Sequence, residues 1–150
     1  MSNPSKDKGT AAETAVVRLA TAMGIPAKRV ALAGAADQGD VWLWPEGDGA
    51  RVVVEVKSRT KAWTWTEVQK WWAEAEAESL RVPNCDVALL VVKRPGSGAP
   101  SAADWFAWAL TRDLVFWQAG RFGLYAGGPS DVPGMWPLGS LLSWLAAVER

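Results

Sequence analysis

The chain has 150 residues, 49% of them hydrophobic, with 16 basic and 16 acidic side chains and a formal net charge of zero. A single cysteine and no histidine rule out an internal disulfide, a Cys/His zinc cluster and any histidine-based catalytic triad. Zero net charge also removes a bulk attraction for nucleic acid, so a nucleic-acid site would have to be a local patch.

This length suits one domain with its own core. Residues 1–7 are polar and read as a flexible lead. Residues 8–150 read as a single domain, with a core over 8–112 and a loop-and-helix extension over 113–150. Between Lys8 and Met23, Ala12, Ala15, Val16, Leu19, Ala20 and Met23 recur at helical spacing. Gly24 ends that helix and Pro26 keeps it from resuming. Lys28–Ala33 suits a short strand, and Gly34–Gly39 a turn of small residues. Asp40–Trp44 and Arg51–Lys57, joined by Pro45–Gly49, make a β-hairpin signal.

Thr66–Leu80 reads as a helix, with Thr66 as N-cap and Val68, Trp71, Trp72, Ala75 and Leu80 on its apolar face. Glu74, Glu76 and Glu78 would solvate its outer side. Asp86–Lys93 is a run suited to a strand buried on both faces. Trp105–Leu110 reads as an antiparallel edge strand, Thr111–Ala119 as a short helix, Gly120–Pro137 as loop, and Leu138–Val148 as an amphipathic helix. The order predicts an α/β domain with a central mixed sheet flanked by helices. There is no signal peptide and no long apolar span, so the expectation is a soluble intracellular protein without a membrane partner.

The chemistry concentrates in the hairpin. Glu55 and Lys57 lie two apart in a β-branched run and therefore project to one face, while Val54 and Val56 point to the other. Asp40 opens the preceding strand and can add a second carboxylate; Asp37 competes for that role but suits a turn cap better. Two carboxylates with water form a hard oxygen site suited to Mg²⁺, and an adjacent lysine can orient or deprotonate a metal-bound water, or stabilise developing negative charge. Phosphodiester hydrolysis is the reaction this suggests. The bland alternative for Glu55 and Lys57 is a surface ion pair.

In chain order, Lys8-Gly9 with Glu13, then Arg29, then Gly39-Asp40-Val41, then Val54-Glu55-Val56-Lys57-Ser58 resembles the PD-(D/E)XK nuclease superfamily. Within it, the pattern is similar to the archaeal-type and phage-type Holliday-junction resolvases over residues 8–93. Gly39 stands where a proline usually precedes the first acid. The resemblance implies a restriction-endonuclease-like core and a metal-dependent DNA endonuclease acting on four-way junctions or other branched DNA. It implies Asp40 and Glu55 as ligands of Mg²⁺, with Mn²⁺ as a substitute, and the Val56 carbonyl as a further ligand. Lys57 would then serve the attacking water, Glu13 would complete the catalytic set, and Gln69 would support the lysine.

Lys8, Arg29, Arg59 and Lys61 would contact DNA phosphates, in keeping with the basic residues gathered in the amino-terminal half. Symmetric cutting of two strands implies a homodimer. Composition fits a GC-rich bacterium or its phage, with action in the host cytoplasm. Two other readings stand beside this one: a nuclease for DNA ends, flaps or foreign duplexes, and a catalytically inactive DNA-binding or assembly module. Trp63 and Trp65, just past the active strand, suit either base stacking or a packing contact.

Overall fold

A computed structural model describes residues 4–31, 37–110, 113, 114, 117 and 133–149. The elements are α1 (Pro4–Ala22), β1 (Ala27–Arg29), β2 (Val41–Glu46), β3 (Gly49–Lys57), α2 (Trp65–Ser79), β4 (Val87–Val92), a 3₁₀ segment (Ala99–Asp104), β5 (Phe106–Leu110), β6 (Pro133–Pro137) and α3 (Leu138–Glu149). The protein is thus α/β, with one six-stranded mixed sheet in the order β1-β2-β3-β4-β5-β6. Among the described strands only β3 and β4 run parallel, and α2 forms their crossover.

Strand alternation sorts the side chains into two cores. Val41, Leu43, Val52, Val54, Val56, Leu89 and Val91 face α1 and α3, meeting Ala12 and Val16 of α1 and Leu138, Leu142 and Leu145 of α3. The other face carries Ala88, Leu90, Val92 and Trp108, covered by Val68, Trp72 and Ala75 of α2. Trp42 and Val53 share that side farther along the sheet. All six residues of β4 are buried, the environment its continuous apolar run predicts.

The ends of the elements follow local chemistry. Helix α1 closes as Gly24 turns left-handed at φ +79°. The Ile25 N–H then reaches the Ala20 carbonyl and the Gly24 N–H reaches Thr21, which is the Schellman arrangement. The helix also begins at Pro4, ahead of Lys8; a proline fits the first turn, whose N–H groups lack helical partners.

Several expectations need correction. Helix α2 starts a turn's fraction early, and Thr64 rather than Thr66 is its N-cap. The Thr64 side chain accepts from the Glu67 N–H, while Glu67 accepts from the Thr64 N–H at 2.8 Å. Thr66 has Gln69 at the same spacing, but it is Glu67 that closes the capping box, on Thr64. Leu80 leaves the apolar face altogether and is 87% exposed, because the helix stops at Ser79. Strand β5 is internal, since β6 pairs along its outer side from Phe106↔Pro137 to Leu110↔Pro133. The prolines that made Pro133–Pro137 read as loop are tolerated because β6 is itself the edge.

The expected strand over Lys28–Ala33 is shorter, and Leu32 and Ala33 lie outside the described residues, as does most of Thr111–Ala119. Trp44 has φ +48° and packs against the α1/α3 core, although alternation would place it with Trp42 on the other face. The left-handed residue turns the side chain through the sheet plane. Among the described residues no helix is long and apolar enough to cross a membrane.

Candidate active site at the head of the hairpin

The β2–β3 register pairs Val41 with Val54. One step outward, Asp40 lies opposite Glu55, and both fall on the α2 side of the sheet. Backbone bonds hold Asp40 between two strands: its N–H donates to the Val54 carbonyl at 3.0 Å, and its carbonyl accepts from Val30 at 2.9 Å. Its Oδ2 accepts from the Val56 N–H at 2.8 Å. The carboxylate is therefore aimed across β3 rather than into solvent.

Gly39 makes this possible. It is at φ +80°, and a Cβ there would lie 2.5 Å from Val53 Cγ1. Only a residue without that atom can turn so close to β3.

Glu55 is 6% exposed. The Lys57 ammonium lies 2.6 Å from Glu55 Oε1 and 2.9 Å from Glu74 Oε2. Strand periodicity thus brings Glu55 and Lys57 together, as the sequence predicts. The two partners from α2 were not foreseen. Glu74 grips Lys57, and Glu78, 7% exposed, is close enough to Glu55 to push its carboxyl up. Both had read as solvated outer-face residues. A usable signal existed: Glu67, Trp71, Glu74 and Glu78 follow a 4-3-4 spacing, one helical stripe flanking the buried Val68, Trp72 and Ala75.

Burial and crowding of like charge dominate the electrostatics. Desolvation first, and then the neighbouring Glu55 charge, push the Asp40 carboxyl up to about 7 against the pull of the Val56 N–H; Glu13 adds to the rise. Desolvation and Glu78 push Glu55 up to about 7, with Lys57 acting in the opposite sense. Glu78 is raised as well, chiefly by burial. Burial lowers the Lys57 pKa, but Glu55 and Glu74 outweigh it and hold the group above its ordinary range. Lys57 is therefore an ammonium donor at neutral pH, not a base.

The remaining expected residues are placed less directly. Glu13 is close enough to act on Asp40, yet its Oε2 is taken by Arg29 Nε at 2.9 Å and Nη2 at 2.6 Å. Arg59 is ion-paired with Glu67 and lies 5.7 Å from the Trp71 ring centre. Lys8 and Lys61 are exposed, and so is Gln69, which the helical progression turns well away from Glu74 and Glu78. Trp63 packs edge-on against Phe106 and Trp108, whereas Trp65 is 53% exposed.

The donor chemistry suits a hard cation: adjacent carboxylates of raised pKa, and a Glu78 oxygen, Oε2, that is buried with no hydrogen-bond partner. Among the described residues no three acidic, histidine or cysteine side chains already stand in cation-coordinating geometry. Mg²⁺ uses one or two carboxylates and keeps several waters, so Asp40 and Glu55 are the residues that would hold it. Comparison of the chain with protein-family models, curated proteins and solved structures returns no match.

Proposed function

We propose that the protein is a Mg²⁺-dependent endodeoxyribonuclease of the PD-(D/E)XK type, with a restriction-endonuclease-like core. The observation that carries this reading is the convergence of Asp40, Glu55 and Lys57 on one face of the hairpin, with Lys57 2.6 Å from Glu55. The order of helix, three strands, helix and parallel strand supports it, because the sequence motif sits on those elements.

Asp40 and Glu55 would hold the ion, with the Val56 carbonyl as a third oxygen and water completing the shell. Bound there, Mg²⁺ would polarise the scissile phosphate and ease deprotonation of the attacking water. Lys57, fixed by Glu55 and Glu74, donates to that water or to a phosphoryl oxygen as negative charge develops. Glu13 adds negative charge from α1 and keeps Arg29 beside the site. Lys8, Lys61, Arg29 and Arg59 would hold the DNA backbone without reading its sequence.

Branched DNA, four-way junctions above all, is the preferred substrate. It would be cut by a homodimer in the cytoplasm of a bacterial host. Purified protein should cut a synthetic four-way junction with Mg²⁺ or Mn²⁺, more readily than linear duplex or single strands. Glu55→Ala and Lys57→Ala should each lower the rate at least about 100-fold. Preference for ends or flaps would redirect the substrate assignment, and cleavage of no DNA form would end the enzyme reading. Binding supported by Ca²⁺ without cutting in Mg²⁺ would favour an inactive DNA-binding module.

A further inference from the structure

Helix α2 sends two glutamates one turn apart to the two working groups of β3. Glu74 has a clear structural use, because it fixes the Lys57 ammonium at 2.9 Å. Glu78 has none of that kind. It is 7% exposed, its Oε2 has no hydrogen-bond partner, and the neighbouring Glu55 is another acid. A buried carboxylate oxygen with no donor costs stability. Nothing in apolar packing explains it, since methionine would fill a similar volume without that cost.

We infer that Glu78 is an outer carboxylate of the cation site, offering its free oxygen to a water in the ion's hydration shell. The inference rests on the nuclease reading above for the ion, but not for the residue. Three features support it. Mg²⁺ keeps several of its waters when it binds protein, and those waters need acceptors. Glu78 neighbours Glu55 and is close enough to Asp40 for their charges to interact, which puts it beside the two acids whose bound ion would carry such waters. Its Oε2 is buried without a hydrogen-bond partner, free to accept from a water one step beyond the directly bound oxygens. Partners at that distance orient the ligands and tune affinity.

Mn²⁺ binding to the full chain, measured by isothermal titration calorimetry without DNA, tests this separately from catalysis. Asp40→Asn should abolish binding. Glu78→Gln should weaken it about 10- to 100-fold, while the metal-free variant melts at or above the wild-type temperature. Glu46→Gln, on the exposed end of β2, should bind as wild type does.

If Glu78→Gln fails to fold, Glu78→Met keeps the volume without polar atoms and should show the same loss of affinity. Wild-type affinity in either folded variant would overturn the role of Glu78 and leave the nuclease site standing, provided Asp40→Asn still loses the ion. Absence of Mn²⁺ binding by the wild type would overturn both.

Discussion

Asp40 and Glu55 illustrate how a single side chain can cost a fold stability and still be kept. Each is withdrawn from water, and each faces another acid, so each holds its proton up to about 7. Ordinary aspartate and glutamate in an unfolded chain release theirs near pH 4. Between about pH 4 and pH 7 the folded chain therefore binds more protons than the unfolded one, and stability falls as pH rises. Glu78 acts in the same direction.

The metal-free protein should accordingly lose melting temperature from about pH 4 to about pH 7, the reverse of common acid denaturation. Asp40→Asn should flatten that decline, and circular-dichroism melts across the range would show both. A melting temperature that is constant or rising over the window would mean that these carboxylates are ordinary. A divalent ion should restore the loss at the alkaline end, because it binds the deprotonated form.

At the scale of elements, the hairpin is where the site is aimed. Its register places Asp40 opposite Glu55, and the turn into β2 depends on Gly39. Gly39→Ala would combine left-handed strain with a Cβ 2.5 Å from Val53. It should lower unfolding free energy by about 2–4 kcal/mol, read from urea denaturation, and it should reduce cleavage as Asp40 shifts. Unchanged stability would show that the turn relaxes freely.

Much of this element was legible. Val52-Val53-Val54-Glu55-Val56-Lys57 could only be a strand with a charged pair on one face. Gly24 announced the end of α1. The partners across space were not legible. Glu74 and Glu78 lie at the border of the α2 stripe, where helical periodicity permits either solvent or sheet, and only the crossover from β3 to β4 decides between them. Trp44 was hidden for another reason, since strand alternation cannot anticipate one left-handed residue.

At the scale of the molecule, the sheet separates two jobs. Its α1/α3 face is nearly all aliphatic and builds the main core. Its α2 face is apolar along β4 and β5 but gives way to Asp40, Glu55, Lys57, Glu74 and Glu78 where β3 leaves the sheet. Alternating and continuous apolar runs foretold the mixed α/β architecture. They could not foretell that β6 would cover β5, because proline and glycine at an edge look like loop until a neighbouring strand is in place. Helix α3 likewise joins the main core through Leu138, Leu142 and Leu145, so the last part of the chain supports the scaffold on which the hairpin rests.

Function at this scale reduces to whether a divalent ion enters between the acids of β2 and β3. Crystals of the full chain soaked in Mn²⁺ at alkaline pH, with diffraction collected at the manganese absorption edge, would show this directly. One anomalous peak is expected in contact with carboxylate oxygens of both Asp40 and Glu55, with the Lys57 ammonium beside it. Saturating Mn²⁺ with no peak there, or with its peak elsewhere in the molecule, would contradict the account.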